Sequence, residues 1–221
     1  MGFSFSFSMI KTNQEKERKS MISKDHRLLG RFLARQIKNT SPLAIHLFVT
    51  GCVFPDHNPL TYLRGVCMGH PLKTHFLFLS YPEIIRLCNK LENRKRLYLW
   101  DYYSLGALVH YAADAFTFPH NEHYTGSMLE HAEYEHNELH PVFEQYLRED
   151  FYMEGQREYD RQSLGSLFSQ MHDSYRDGEA SPLWDAGYIC RISTVICERV
   201  LAREKVTDRE SSNRKVGYVQ A

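Results

Sequence analysis

Five residues in the stretch Leu105 to His140, which reads LGALVHYAADAFTFPHNEHYTGSMLEHAEYEHNELH, have the types and spacing of metal ligands: His110, Asp114, His120, His131 and Glu135. His110 and Asp114 are four apart, and so are His131 and Glu135. On a helix each pair therefore projects from one face and can grip one cation. Pro119-His120 lies between the pairs. The chemistry implied is a site for two or more ions, built where helices face one another, from the nitrogen and oxygen ligands that zinc accepts.

Each pair also has a plainer reading. A histidine and an acid at this spacing make an ordinary contact on a helix surface. Against that, Val109, Tyr111, Ala112, Ala113 and Phe116 surround the first pair with apolar groups, where an ionised carboxylate is costly unless paired or bound to a cation. Around His131 and Glu135 the neighbours Glu133, His136 and Glu138 fit a solvated face equally well. Outside the stretch, Asp56 after Pro55 reads as a turn residue, and His70 and His26 as first-turn residues of helices. His46 and His75 lie in apolar runs and read as core histidines; His57, His123, His136 and His140 are spare or supporting groups. Eleven of the twelve histidines fall between His26 and His140, so metal chemistry belongs to that part of the chain.

The elements that must position these residues are helices. After a Ser23 cap, DHRLLGRFLARQIK has Leu28, Leu29, Phe32, Leu33 and Ile37 at helical spacing, with His26 in the first turn. Ser41-Pro42 starts a short apolar helix to about Thr50. GCVFPDHNPLTYLRG, broken by Pro55, Pro59 and Gly65, is expected to be a loop carrying Asp56. From His70 to Arg96 the period is helical, with Pro82 expected to kink or divide it. Trp100 to about Phe116 forms the next helix, then a turn at Phe118-Pro119, then a long polar-faced helix from Met128 to Leu147 with a break expected at Pro141. Ser163 to Tyr175 and Pro182 to about Glu204 complete the set. Strand signals are nearly absent, and the fold expected is all-α with six to eight helices.

At 221 residues the chain suits one domain with a substantial core, placed at 21–205 between an N-terminal extension of 1–20 and a flexible tail of 206–221. Twenty-seven basic against twenty-seven acidic residues leave no net charge, so no duplex nucleic acid is expected as a partner. Five cysteines without a C-x-x-C fit reduced thiols and a cytoplasmic setting. The segment MGFSFSFSMIKTNQEKERKS has no basic n-region and no cleavage site of signal-peptide type, and no apolar run is long enough for a transmembrane helix. The sequence leaves the oligomeric state open.

Motifs for several other chemistries are missing: H-E-x-x-H, the phosphate loop G-x-x-x-x-G-K-[ST], G-x-G-x-x-G after a strand, and the G-x-S-x-G elbow. The E-x-x-H pairs of di-iron bundles are not reproduced on two helices either. What is present resembles the zinc-dependent phospholipase C family, which shares its fold with single-strand nucleases of the S1/P1 type. The matching pieces are GCVFPDH at 51–57, GH at 69–70, LGALVHYAADAFTFPHN at 105–121 and HAEYE at 131–135, with HYxxDxxxxPH the most specific. The resemblance implies a multi-helix bundle holding two to three zinc ions. Asp56, His70, His110 and Asp114 would surround one ion, and His120, His131 and Glu135 a second. Asp114 would bridge to a third, completed in the family by an early histidine, here His26, and by an N-terminal tryptophan that this sequence lacks. Translation starting at Met21 would instead place a free α-amine five residues before His26; the intact mass of the native protein decides this.

The activity implied is phosphodiester hydrolysis, with phospholipid the favoured substrate by resemblance. Clustered zinc lowers the pKa of bound water to about 7 and stabilises charge on phosphoryl oxygens, so a zinc-bound hydroxide would attack phosphorus. Asp56 would ligate and also orient that water or accept its proton. A P1-type nuclease or nucleotide phosphohydrolase is the nearest alternative, and a non-catalytic zinc-binding helical protein is the second. An HD-type phosphohydrolase needs an adjacent His-Asp ligand pair, and His172-Asp173 stands alone.

Overall fold

The computed structural model of the chain describes residues 24–57, 77–149 and 162–217, with side chains at 24–55, 80–149 and 162–202. Its centre is a helix buried on almost every side: in Leu99–Ala115 all but a few residues from Asp101 onward are buried. A helix apolar all round needs neighbours all round, and the rest of the chain supplies them. In chain order the helices are α1 (24–34), α2 (Pro42–His57), α3 (Leu77–Glu92), α4 (Leu99–Ala115), α5 (Met128–Glu133), α6 (His140–Arg148), α7 (Leu164–Arg176) and α8 (Pro182–Gly217). A 3-10 turn, Phe118–His120, follows α4, and a π-helical segment, Tyr134–Leu139, joins α5 to α6. No strand occurs among the described residues, and the fold is all-α.

α4 packs most extensively on α2 and also against α3, α8 and the 3-10 turn. The crossing with α2 is close because two glycines meet there. A Cβ on Gly51 would collide with the Tyr103 carbonyl, and one on Gly106 with the Phe48 carbonyl. At its other boundary α4 is capped by Asp101, whose Oδ2 accepts from the Tyr98 backbone N–H at 3.1 Å, satisfying a donor the helix leaves unpaired. Arg94 and Lys90 lie 3.3 and 3.5 Å from the same buried carboxylate and balance its charge. Beyond the C-terminus of α4, Phe116 contacts the rings of Phe168, His172, Tyr175 and Tyr188, fixing where the chain turns toward His120.

Several local expectations are corrected. Residues 51–57, read as loop, continue α2, with Pro55 inside the helix. Burial of Cys52 and Val53 in the core outweighs the hydrogen bond Pro55 cannot make. Pro82 does not divide its helix: α3 runs through it from Leu77 to Glu92. Pro141 does not end the helix carrying Glu135. It falls in the first turn of α6, where a missing N–H costs little, and the chain adjusts ahead of it by widening into π turns. The last helix extends past Glu204 to Gly217, there being no glycine or proline between Gly187 and Gly217 to stop it. His46 is exposed on α2 and is not a core residue.

Candidate metal centre

His110 is fully buried in α4, and its Nδ1–H donates to the Cys52 carbonyl of α2 at 3.0 Å. A carbonyl only accepts, so this bond keeps the proton on Nδ1 and turns the Nε2 lone pair toward Asp114. Nε2 lies 3.4 Å from Asp114 Oδ2, one helical turn on. The other oxygen, Asp114 Oδ1, lies 3.0 Å from His26 Nε2 of α1. The two imidazole rings stack at 4.0 Å between centroids. Thus α1 and α4 bring three buried ligand atoms together around one carboxylate.

The second group forms around Glu135. His120 comes from the 3-10 turn, held by its backbone bond to Thr117, and His131 from α5, whose N-cap Ser127 forms a capping box with Glu130. Glu135 sits in the π segment. Its Oε1 is 3.0 Å from both His120 Nε2 and His131 Nε2, and these two nitrogens are 3.2 Å apart. Three donor atoms at such separations form nearly one face of a tetrahedron; zinc bonds of about 2.0–2.1 Å predict an edge of roughly 3.3 Å. Glu135 Oε2 and His131 Nδ1 are buried and find no hydrogen-bond partner among the described residues. A buried carboxylate oxygen left so is costly. The donor set and its spacing therefore fit zinc.

Burial alone would raise the Asp114 carboxyl, but His110, His120 and His26 outweigh it and hold it far below the carboxylate range. Burial likewise opposes ionisation of Glu135, and hydrogen bonds from His120 and His131 bring it down to about 2. His120 acts on both carboxylates, so the two groups adjoin. They also share a cavity, whose lining includes the polar residues Asp25, His26, Asp114, Glu135 and His140 and the apolar residues Leu29, Ala113, Leu139, Phe143 and Ile189.

His26, His110, Asp114, His120, His131 and Glu135 are thus brought together in two groups. Asp56 lies in the last turn of α2, one turn after Cys52, with its side chain outside the described residues; His70 lies outside them altogether. Residues not assigned as ligands complete the setting. The Cys52 carbonyl orients His110, and no sequence pattern flags a carbonyl. His140 pairs through Nδ1 with Asp25 Oδ1, closing α6 onto α1 beside His26. His172, the one histidine remote in sequence, is buried and reaches Asn121 Oδ1 at 3.0 Å and the Ala115 carbonyl at 3.2 Å, steadying the loop that carries His120. Glu133 and its neighbours His136 and Glu138, which fit a solvated face in the sequence, are exposed.

No curated protein and no solved structure matched in the corresponding comparisons. Among models of protein families, zinc dependent phospholipase C matches residues 25–181, a span that contains every ligand atom of both groups. With well over half its length matched and with two histidine–carboxylate groups facing one cavity, this chain belongs to the zinc-dependent phospholipase C family.

Proposed function

We propose that this protein hydrolyses a phosphodiester, with phospholipid as the favoured substrate. The observation that carries the reading is the pair of adjoining groups, His26–His110–Asp114 and His120–His131–Glu135, on one cavity. In this reading Asp56 and His70 complete the first group, Asp114 bridges from His110 toward His26, and two to three zinc ions are held. Zinc, when bound, supplies Lewis-acid stabilisation of negative charge at phosphorus and acidifies water.

The chain's own residues do the rest. The Cys52 carbonyl fixes His110 as a donor of its Nε2 lone pair. Asp114 and Glu135 bring carboxylate charge that retains cations, and their burial keeps competing water away. Asp56, at the end of α2, orients the attacking water or accepts its proton. The apolar lining of Leu29, Leu139, Phe143 and Ile189 suits a substrate with an apolar part beside its phosphate.

The test is turnover of p-nitrophenylphosphorylcholine and bis-p-nitrophenyl phosphate by zinc-loaded protein, against Asp114→Asn. Hydrolysis by the wild type alone supports the reading. No turnover of either compound at confirmed metal content favours a non-catalytic zinc protein.

A further inference from the structure

Asp185 lies beyond the matched span, in the first turn of α8, a helix that contributes no ligand atom to either group. It is completely buried. Its Oδ2 accepts two hydrogen bonds of 2.8 Å, one from the Phe118 backbone N–H and one from the Tyr134 hydroxyl. Oδ1 accepts a third, also 2.8 Å, from the Tyr175 hydroxyl of α7. Phe118 opens the 3-10 turn that ends at His120, and Tyr134 opens the π segment that holds Glu135 one residue later. One carboxylate oxygen therefore ties together the two segments that converge on the second group.

We propose that Asp185 is a positioning residue for the His120–His131–Glu135 site, fixing through Phe118 and Tyr134 the separation between His120 and Glu135. This rests on the reading of that group as a zinc site. Two features argue for more than general support. The carboxylate is enclosed, and its three hydrogen-bond partners are a backbone amide and two hydroxyls; burying it is expensive, and those donors stabilise it. No single continuous helix spans the segments it joins: His120 and Glu135 are separated by a loop, the short helix α5 and the start of a stretch of widened helix. Their 3.0 Å approach needs an external reference, and α8 supplies it.

Tyr134 and Tyr175 make an internal control, because each donates one 2.8 Å bond to the same carboxylate but only Tyr134 belongs to a ligand-bearing segment. Zinc affinity and stoichiometry are measured by chelator competition for wild type, Asp185→Asn, Tyr134→Phe and Tyr175→Phe. Cobalt(II) absorption reports ligand geometry, and melting of the metal-free proteins reports stability. The expected result is that Asp185→Asn and Tyr134→Phe weaken one ion about tenfold or more and alter the cobalt spectrum. Tyr175→Phe lowers melting comparably to Tyr134→Phe yet leaves affinity within about twofold of wild type. Should Asp185→Asn fail to fold, the two tyrosine variants decide alone. Unchanged affinity in Tyr134→Phe, or equal weakening in Tyr175→Phe, overturns the inference while the zinc site stands. Wild-type protein that takes up no zinc overturns the zinc site and the inference together.

Discussion

Asp114 Oδ1 lies 3.0 Å from His26 Nε2 while its Oδ2 faces His110, so one carboxylate on the central helix joins α1 to the metal centre. Loss of that carboxylate should harm the site more than loss of either histidine. Asp114→Asn is expected to lower turnover of bis-p-nitrophenyl phosphate by about 100-fold or more. His26→Ala is expected to remove at most one zinc ion and leave the Glu135 group loaded. Elemental analysis alongside turnover checks both, and equal zinc content in wild type and Asp114→Asn would contradict the role given to Asp114.

Zinc should bind in competition with protons. Histidine ligands must be neutral, so affinity should fall as pH drops below the ordinary imidazole value of about 6.5. Removing metal with a chelator at neutral pH should lower the melting temperature, and restoring zinc to 100 times its Kd should return about 2.7 kcal/mol. Scanning calorimetry with and without zinc at pH 7.5 and pH 5.5 measures this; a zinc effect independent of pH would exclude histidine ligation.

The metal-free protein should show the mark of Glu135 in acid. Its carboxyl is brought from an ordinary 4.5 down to about 2 by His120 and His131 despite burial. A depressed carboxylate contributes stability that is present above its unfolded value and lost as pH falls through its folded one. Stability should therefore decline between pH 4.5 and 2 in the wild type. The decline should be shallower in Glu135→Gln, read as denaturant midpoints across that range.

The α2–α4 crossing should tolerate no added methyl. At Gly106 a Cβ meets backbone, the Phe48 carbonyl, which cannot swing aside as a side-chain tip could. Gly106→Ala is expected to cost about 3 kcal/mol and to lower the melting temperature by roughly 6–12 °C. Because Cys52 and His110 meet beside this crossing, zinc affinity should fall with it.

The thiols of Cys52, Cys88, Cys190 and Cys197 are buried and unbridged, and burial pushes all of them up, Cys88 and Cys190 to about 12. At pH 7.5 these four should resist a disulfide reagent until denaturant is added. Native mass spectrometry after labelling locates any modified cysteine.

Much of the site was legible before the fold. The i, i+4 spacing of His110 with Asp114 and of His131 with Glu135 depends only on local helix geometry, and it holds even though Glu135 lies in a π segment. The all-α class followed from helical period and the scarcity of strand signals. His26 entered through resemblance to a known family, since its own surroundings read equally well as a first-turn residue.

Other features were settled only by tertiary packing. Pro55 and Pro82 signal breaks locally, yet both lie inside helices, because apolar faces packed against the central helix outweigh one missing hydrogen bond. The 3.0 Å contacts of His26 with Asp114 and of His120 with Glu135 join elements whose relative placement no periodicity encodes. Asp185 is the extreme case: in the sequence it is an acid in a helix's first turn, ordinary by the helix dipole alone. Periodicity says which residues share a helix face. Only the packed chain, by burying a carboxylate among three donors from three other segments, shows which distant segments that face must hold together.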